Sequence, residues 1–310
     1  MNVLVTGGAG FIGSHTVDLC IENGLNVVVV DDLSKGRPEH INQQAKLYKL
    51  DVRKTELTDV MKKEKIDAVI HLAAQSDVQT SLVNPGFDAS VNILGTLSVL
   101  EASIKTGVKK VVYASSAAVY GEPQYLPIDE KHPLNGQSGY GLSKQVPEKY
   151  LSLFKTIHGL DFTALRYANV YGPRQDAAGE GGVVAIFTDR LPRGEEIIIY
   201  GDGEQTRDFV YVGDIAHANF LALQKGSGRI LNVSTGKGTS VNELYNLITE
   251  LLETTKSPVY APARAGDIRD SFLANNSLIE EFGWKPKTGL REGLRRMLVP
   301  SQQLNQKLDR

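Results

Sequence analysis

Short runs of branched apolar residues alternate with longer amphipathic segments along the first half of the chain. The runs lie at 3–5, 26–30, 46–50, 67–73, 109–114 and 162–167. Near-continuous apolar runs of this length are typical of strands buried on both faces of a parallel sheet, and the segments between them have the apolar spacing of helices. The pattern predicts repeated βαβ units, and therefore an α/β fold with a parallel sheet between two layers of helices.

The second half of the chain interrupts this alternation and then resumes it. A glycine-rich stretch, a helix and a short strand are predicted at 171–182, 183–191 and 197–200. A strand, a helix and a further strand, all returning to the sheet, are predicted at 209–212, 214–224 and 230–234. Two more helices are predicted at 243–253 and 290–299.

Because the sheet pattern resumes after the interruption, the two predicted domains are interleaved. A chain of 310 residues is long enough for two closely joined domains. We expect a large domain from 1–167 and 205–235. A smaller, C-terminal substrate domain is expected from 168–204 and 236–310.

Three glycines, Gly7, Gly10 and Gly13, separate the first predicted strand from the first predicted helix. This spacing leaves no side chain in the way of a pyrophosphate, whose charge the N–H groups at the helix N-terminus stabilise. Tight turns elsewhere also use glycine, so the strand–turn–helix context carries the inference. We predict a doubly wound Rossmann sheet that binds a dinucleotide at this turn.

The second predicted strand leads into Asp31. A carboxylate there can accept hydrogen bonds from both adenosine-ribose hydroxyls and repels a 2'-phosphate, which favours NAD over NADP. Lys35 and Arg37 in the next loop are the residues that would instead favour NADP. Asp32 is a second cofactor-binding candidate, and the start of a turn is its alternative interpretation.

Ser116, Tyr140 and Lys144 are the candidate catalytic residues. Ser116 follows a predicted strand, at the sheet edge where the cofactor is expected. Tyr140 and Lys144 lie one turn apart at the start of a helical segment, so they face the same ligand. A phenol ordinarily has a pKa of about 10, so a tyrosine base needs a nearby cation. A strand-end cap for Ser116 and a surface ion pair for Lys144 are the simpler alternatives.

The amino-acid composition limits the classes of molecule that the protein is expected to bind. A net charge of −2 with 41% hydrophobic and 23% charged residues is ordinary for a soluble enzyme and provides no basic surface for nucleic acid. No apolar run approaches about 18 residues and no signal-peptide pattern precedes the first strand, so we expect a cytoplasmic protein without a membrane partner. The single cysteine, Cys20, is predicted to pack in the core, and the histidine spacing predicts no metal site.

The glycine turn and the catalytic candidates belong to a longer ordered series of motifs. Besides Asp31, the series comprises TGGAGFIGSH at 6–15, HLAA at 71–74, SSAAVYG at 115–121, YGLSK at 140–144 and RYANVYGPR at 166–174. From residue 2 to about residue 299 the chain resembles the extended short-chain dehydrogenase/reductase superfamily. Within it, the chain most resembles the NAD-dependent sugar-nucleotide epimerases, and among these the UDP-glucose 4-epimerases.

This resemblance implies a site residue by residue. Ser116, Tyr140 and Lys144 would be catalytic. The implied NAD contacts are Gly7, Gly10, Phe11, Ile12, Gly13, Asp31, Asp32, Asp51, Val52, Leu72, Ala73, Ala74, Asn92, Ser115, Tyr140, Lys144 and Tyr167. The implied UDP-sugar contacts are Ser116, Tyr140, Asn169, Val183, Arg207, Arg264 and Asp267. The alternatives are a solvent-facing position for Asn92, aromatic packing for Tyr167 and structural salt bridges for Arg207 and Arg264.

The activity implied by the resemblance is interconversion of UDP-glucose and UDP-galactose through a 4-keto intermediate, with hydride passing to bound NAD and back. UDP-glucuronate 4-epimerase, a dehydratase and a decarboxylase are the enzymatic alternatives. Dehydration is disfavoured because Ala117 and Ala118, which follow Ser116, cannot transfer a proton. A non-catalytic NAD-sensing binding protein is the alternative from another class. Relatives also imply a homodimer, formed through the segments 92–106 and 140–158.

Three positions depart from the family pattern or bear on substrate range. Ala168 replaces a usual aromatic residue, and Pro147 removes a backbone donor within the catalytic helix, which predicts a slight kink. Ser271 aligns with a bulky residue near the sugar in glucose-restricted epimerases. A small residue there leaves space for an N-acetyl group, so UDP-GlcNAc and UDP-GalNAc form a second expected substrate pair.

Overall fold

A seven-stranded parallel sheet dominates the structure, a computed structural model that describes residues 1–177, 182–264 and 267–298. Numbered in chain order, its strands are β1 (Asn2–Thr6), β2 (Asn26–Asp31), β3 (Lys46–Lys49), β4 (Ala68–His71), β5 (Lys110–Ser116), β6 (Asp161–Tyr167) and β11 (Arg229–Val233). Their order is β11-β6-β5-β4-β1-β2-β3, and every neighbouring pair is parallel. The predicted doubly wound sheet is confirmed. Its strand order reverses between β1 and β4, where open α/β sheets bind their ligands.

Helices cover both faces of this sheet and build the smaller part of the molecule. They are α1 (Phe11–Glu22), α2 (Glu56–Lys63), α3 (Val78–Val83), α4 (Pro85–Ala89), α5 (Gly95–Thr106), α6 (Gly139–His158), α7 (Val183–Arg190), α8 (Val212–Ala222), α9 (Val241–Leu251), α10 (Asn276–Phe282) and α11 (Leu290–Leu298). A π-helical turn, Ser90–Leu94, joins α4 to α5. Within the described ranges, no helix is long and apolar enough to cross a membrane.

Strand residues alternate between two buried clusters, one on each face of the sheet. Val3 and Val5 pack on the face covered by α1 and α8, whereas Leu4 packs on the face covered by α2 and α5. Because both faces of β1 and β2 are buried, these strands are almost entirely apolar, and this explains their continuous apolar runs in the sequence.

The remaining strands form small sheets beside the large one. They are β7 (Asn169–Tyr171), β8 (Ile198–Tyr200), β9 (Thr206–Arg207), β10 (Phe209–Tyr211), β12 (Thr239–Ser240), β13 (Val259–Ala261) and β14 (Asp270–Ser271). They pair as β10-β7, β12-β9-β14 and β13-β8. A third buried cluster, which includes Tyr171, Phe187 and Leu244, lies beneath them.

The expectation that 209–212 rejoins the large sheet is wrong. β10 instead pairs in parallel with β7. Phe209 and Tyr211 pack in the third cluster, whereas Val210 packs in the first. The strand is therefore buried on both sides, which gives it the apolar pattern of a central strand. The domain boundaries proposed from the sequence stay a prediction.

The helix that carries the catalytic candidates begins one residue before Tyr140. Ser138 caps α6, because its Oγ accepts a hydrogen bond from Gly141 N at 3.0 Å. Gly139–His158 is a single helix that continues through the buried Pro147. The missing proline N–H therefore does not end the helix.

Candidate active site

The glycine turn is closely packed against the end of β4. A Cβ atom on Gly13 would lie 2.0 Å from Gly7 O, and Gly7 has a φ of +69°. A Cβ on Gly7 would lie 2.7 Å from Ala73 N. Only glycine fits these two positions without a backbone shift.

The N-terminus of α1 has the features of an anion site. Its N-cap is Gly10, which provides no side-chain hydrogen bond, and its first turn contains no acidic residue. The N–H groups of the first turn are therefore left for a ligand. The side chains of Phe11 and Ile12 pack toward the third cluster, so these residues offer their backbone to the turn. The arrangement fits a dinucleotide pyrophosphate.

Asp31 is buried at the end of β2 and is fixed by the turn itself. Its two carboxylate oxygens accept hydrogen bonds from Ala9 N and Leu33 N, both at 2.9 Å. Burial raises the pKa of its carboxyl group. Asp32 accepts hydrogen bonds from Ser34 N and Oγ, as expected for the turn interpretation.

Arg37, in the loop beyond β2, and Asp51 and Val52, after β3, make contacts with other residues of the protein. Arg37 lies 3.7 Å from Asp176 in a solvent-exposed ion pair. The Asp51 carboxylate accepts hydrogen bonds from Arg53 Nε and Nη2, and the Arg53 guanidinium lowers the pKa of this carboxyl. Val52 packs in the second cluster. Whether Asp51 and Val52 bracket an adenine stays a prediction.

A directed hydrogen-bond chain starts at the glycine turn. Thr6 Oγ1 accepts from Leu72 N and Ala73 N and lies 2.7 Å from His71 Nδ1. His71 Nε2 lies 3.1 Å from Thr96 Oγ1, which donates to Asn92 O. Because the Thr96 hydroxyl donates its proton to Asn92 O, His71 Nε2 donates to Thr96 Oγ1, and His71 Nδ1 accepts from Thr6 Oγ1. Burial lowers the pKa of His71 to about 3, so its ring is neutral.

Asn92 is buried in the π-helical turn, so its solvent-facing interpretation is wrong. Its side-chain amide accepts from Gln75 N at 2.8 Å and donates to Gln75 O and Ser143 Oγ, both at 2.9 Å. Asn92 therefore connects the segment after β4, which includes the half-buried Ala74, with the helix that carries Lys144.

The three catalytic candidates converge at the end of β5. Lys144 Nζ donates to Ala114 O at 2.9 Å and lies 6.0 Å from the centroid of the Tyr140 ring. Ser116 is half-buried, and its Oγ accepts from Ala118 N at 3.2 Å. A Cβ on Gly141, the residue after Tyr140, would lie 2.5 Å from Ala118 O. The turn that follows Ser116 therefore touches the helix beside Tyr140.

Ser115 and Tyr167, two predicted cofactor contacts, direct their hydroxyls into the protein. Ser115 is buried, and its Oγ donates to Glu148 Oε1 at 2.6 Å. Tyr167 OH donates to Asn219 Oδ1 at 2.5 Å, and burial raises the pKa of its phenol. The aromatic-packing interpretation describes Tyr167, which belongs to the first cluster.

Arg207 lies at the predicted substrate end of the site. It pairs in register with Ser271 and donates from Nη1 to Thr206 O at 2.8 Å. Burial lowers the pKa of its guanidinium. None of the salt bridges between described residues involves Arg207, and the neighbouring Asp208 instead accepts from Thr235 N and Oγ1. The half-buried guanidinium of Arg207 is therefore suited to an anionic ligand.

The other predicted substrate contacts lie on β7, at the start of α7 and between β13 and β14. The Arg264 guanidinium carbon lies 3.8 Å from the centroid of the Tyr200 ring, and Asp267 N donates to Arg264 O. Asn169 is exposed on β7, and Val183 is half-buried at the start of α7. Within the described residues, no group of three or more His, Cys, Asp or Glu is arranged to bind a metal.

One feature of the site was missed in the sequence. Glu148 and Arg166 form a buried ion pair directly behind Ser115. Glu148 lies one turn beyond Lys144 on the same helix face, and Arg166 opens the motif RYANVYGPR. The spacing of four residues between Tyr140, Lys144 and Glu148 is the sequence pattern that could have identified this carboxylate.

Comparison with known proteins identifies the family. Residues 3–234 match the model of the NAD dependent epimerase/dehydratase family. The UDP-glucose 4-epimerase of Mycolicibacterium smegmatis is 42% identical over 301 residues, which cover 95% of this chain and 96% of the relative.

Solved structures agree with this result. The UDP-glucose 4-epimerase of Thermotoga maritima, solved with UDP-glucose, is 47% identical, with a TM-score of 0.94 and coverage of 99% of this chain and 100% of that one. A UDP-N-acetylglucosamine 4-epimerase from Methanobrevibacter ruminantium is 37% identical, with a TM-score of 0.92 and coverage of 98% of each chain. The family description confirms the predicted cofactor, NAD. The chain belongs to the NAD dependent epimerase/dehydratase family.

Proposed function

We propose that this protein interconverts UDP-glucose and UDP-galactose by epimerisation at C4 with bound NAD. The observation that carries the proposal is the convergence of Ser116, Tyr140 and Lys144 at the end of β5, where Lys144 Nζ is held 2.9 Å from Ala114 O. The strand that supplies Ser116 is separated only by β4 from the strand that leads into the glycine turn. The named relatives at 42% and 47% identity support the same activity.

Each catalytic residue has a defined role in this proposal. Tyr140 removes the proton from the sugar 4-hydroxyl and later returns it. The Lys144 ammonium stabilises the phenolate form of Tyr140, because opposite charge favours the ionised group. Ser116 donates a hydrogen bond to the same sugar oxygen. NAD, when bound, supplies a hydride acceptor for C4 that becomes the donor in the return step.

The nucleotide end of the substrate needs a separate anchor, because the hexose must present both faces to the cofactor. Arg207 and Arg264 are suited to the diphosphate, since guanidinium groups are permanently charged and bind phosphate oxygens. Asp267, which is close to both arginines in the fold, is assigned to the uridine ribose. Anchoring at this end leaves the sugar free to turn.

A second substrate pair, UDP-GlcNAc and UDP-GalNAc, is favoured by Ser271. This small side chain lies beside Arg207 in the register of β14 with β9. A relative named as a UDP-N-acetylglucosamine 4-epimerase is 37% identical. Dehydration is not favoured, because Ala117 and Ala118 offer no proton donor after Ser116.

The proposal is tested by incubating the purified protein, without added NAD, with UDP-galactose, UDP-GlcNAc and UDP-glucuronate in separate samples. We expect NMR of the anomeric protons to show UDP-glucose formed from UDP-galactose and UDP-GalNAc formed from UDP-GlcNAc. Unchanged UDP-GlcNAc after full equilibration of UDP-galactose would contradict the wider substrate range. Unchanged UDP-galactose, even after NAD is supplied, would contradict the proposed function.

We also propose a homodimer that buries one face of α6 together with the end of the π-helical turn that leads into α5. This face carries apolar side chains that are about half exposed or more in the single chain: Leu94, Leu142, Leu153 and Ile157. Two helices from each subunit would pack them in a four-helix arrangement. Several exposed apolar side chains on one helix face are typical of a protein interface.

We expect light scattering at micromolar concentration to give the mass of two chains. The double variant L153E/I157E is expected to give the mass of one chain, because a dimer would have to bury two unpaired charges from each subunit. V259E is the matched control, since Val259 is similarly exposed but lies on β13. A monomeric unsubstituted protein would refute the dimer.

A further inference from the structure

Behind the catalytic residues lies an ion pair that is almost completely buried. Arg166 Nε donates to Glu148 Oε1 at 2.9 Å, and Nη2 donates to Oε2 at 2.6 Å. Only 4% of the Arg166 side chain and 1% of the Glu148 side chain are exposed. The pair joins α6, which carries Tyr140 and Lys144, to β6, which lies next to the strand of Ser116.

The same pair holds the chain on both sides of Ser116. Before it, Ser115 donates from Oγ to Glu148 Oε1 at 2.6 Å. After it, Tyr120 accepts from Arg166 Nη1 at 2.9 Å and donates to Asn232 Oδ1 at 2.6 Å. The short turn Ala117–Val119 lies between these two attachment points. Ser116 and its turn are therefore fixed relative to the ion pair at each end.

The helix side is fixed by the same group of contacts. Lys144 and Glu148 are separated by one turn of α6, so both side chains reach the end of β5. Lys144 Nζ donates a hydrogen bond to Ala114 O, and Glu148 Oε1 accepts one from Ser115 Oγ. Two consecutive strand residues are therefore hydrogen-bonded to the helix. Tyr113 adds a third link, since its OH donates to Lys144 O at 3.3 Å.

Stability alone does not account for such a pair. Desolvation of two charges offsets much of their attraction, and replacing both partners by apolar residues of similar size often leaves a protein equally stable. What apolar packing does not reproduce is a set of directed bonds to Ser115 and Tyr120. The value of the pair therefore lies in geometry.

We propose that the Glu148–Arg166 pair is a positioning unit that holds Ser116 in register with Tyr140 and Lys144. This inference rests on the proposed epimerase function. Neither residue contacts the reacting atoms. They act through Ser115, Tyr120 and the helix, and a displacement of about 1 Å at a reacting centre can lower turnover by about 100-fold.

The test compares E148L/R166M with the unsubstituted protein. We expect kcat for UDP-galactose to fall about 100-fold, with little change in KM, in the NAD content of the purified protein or in Tm. The reason is that Arg207, Arg264 and the glycine turn, which are assigned to substrate and cofactor binding, are unchanged in this variant. S115A removes only the hydroxyl link and is expected to fold normally with a smaller fall in kcat.

The matched control is K155M. Lys155 lies on the same helix and bonds Asp161 at the opposite end of β6, at 2.8 Å. We expect its kcat to equal that of the unsubstituted protein. A loss of kcat equal to that of E148L/R166M would overturn the proposal, and so would full kcat in both E148L/R166M and S115A.

Hydrogen exchange provides a readout that does not depend on activity. Exchange of Ala118 N–H, which bonds Ser116 Oγ, and of Tyr120 N–H, which bonds Ala117 O, reports the order of the turn. We expect faster exchange there in E148L/R166M and in S115A but not in K155M. Unchanged exchange in both variants would refute positioning. If the variants exchange faster but the unsubstituted protein does not convert UDP-galactose, the epimerase function is refuted and the positioning of Ser116 still stands.

Discussion

Replacing Tyr140 by phenylalanine is expected to lower kcat for UDP-galactose by about 10² to 10⁴-fold, the range over which a positioned acid–base group contributes. The ring and its packing remain, but the phenolate oxygen that accepts the sugar proton is lost. Lys144 keeps its bond to Ala114 O, so the helix should stay in place. The measurement is turnover of UDP-galactose alongside the NAD content of the purified protein, which we expect to be unchanged.

A matched tyrosine distinguishes chemistry from a general effect of the substitution. Tyr125 is exposed, and its OH bonds Asp129 away from the catalytic helix. Y125F is expected to turn over UDP-galactose at the unsubstituted rate. Normal turnover in Y140F would refute the base assigned to Tyr140.

Gly13→Ala is expected to remove most of the bound NAD. The new Cβ would lie 2.0 Å from Gly7 O, and neither atom belongs to a flexible side chain, so the turn must open. Opening misdirects N–H groups whose hydrogen bonds to a charged phosphate contribute about 1.5–3 kcal/mol each. Loss of one such bond weakens binding by about 10- to 100-fold. The measurement is the NAD content of the purified variant and its affinity for added NAD.

Gly86→Ala serves as the control for this substitution. Gly86 lies in α4, and a Cβ there meets no other atom within 4 Å. We expect G86A to retain NAD at the level of the unsubstituted protein. Retention of NAD by G13A as well would show that the close contact of the turn is not needed for binding.

The parts of the fold that follow from local rules were predictable. The apolar runs gave the strands of the large sheet, because residues such as Val3 and Leu4 are buried on opposite faces. Gly7 and Gly13 could be assigned to a nucleotide turn because of their spacing between a strand and a helix, and the structure shows that only glycine tolerates their surroundings. Tyr140 and Lys144 could be paired because helical spacing is fixed.

What depends on long-range pairing was not predictable. The pattern of β10 fits a central strand, yet Phe209 and Tyr211 pack in a different cluster from Val210. Asn92 is polar and lies in a helical segment, and only the fold reveals its bonds to Gln75 and Ser143. The Glu148–Arg166 pair was missed for the same reason, since its partners lie on separate elements.

The most direct test of the account uses UDP-galactose that carries deuterium at C4, incubated with the purified protein in ordinary water. If hydride leaves C4 for bound NAD and returns to the same carbon, the UDP-glucose formed will keep deuterium at C4. NMR and mass spectrometry of the product measure this retention. UDP-glucose with protium at C4 would contradict the account, because the hydrogen would then have exchanged with water as a proton.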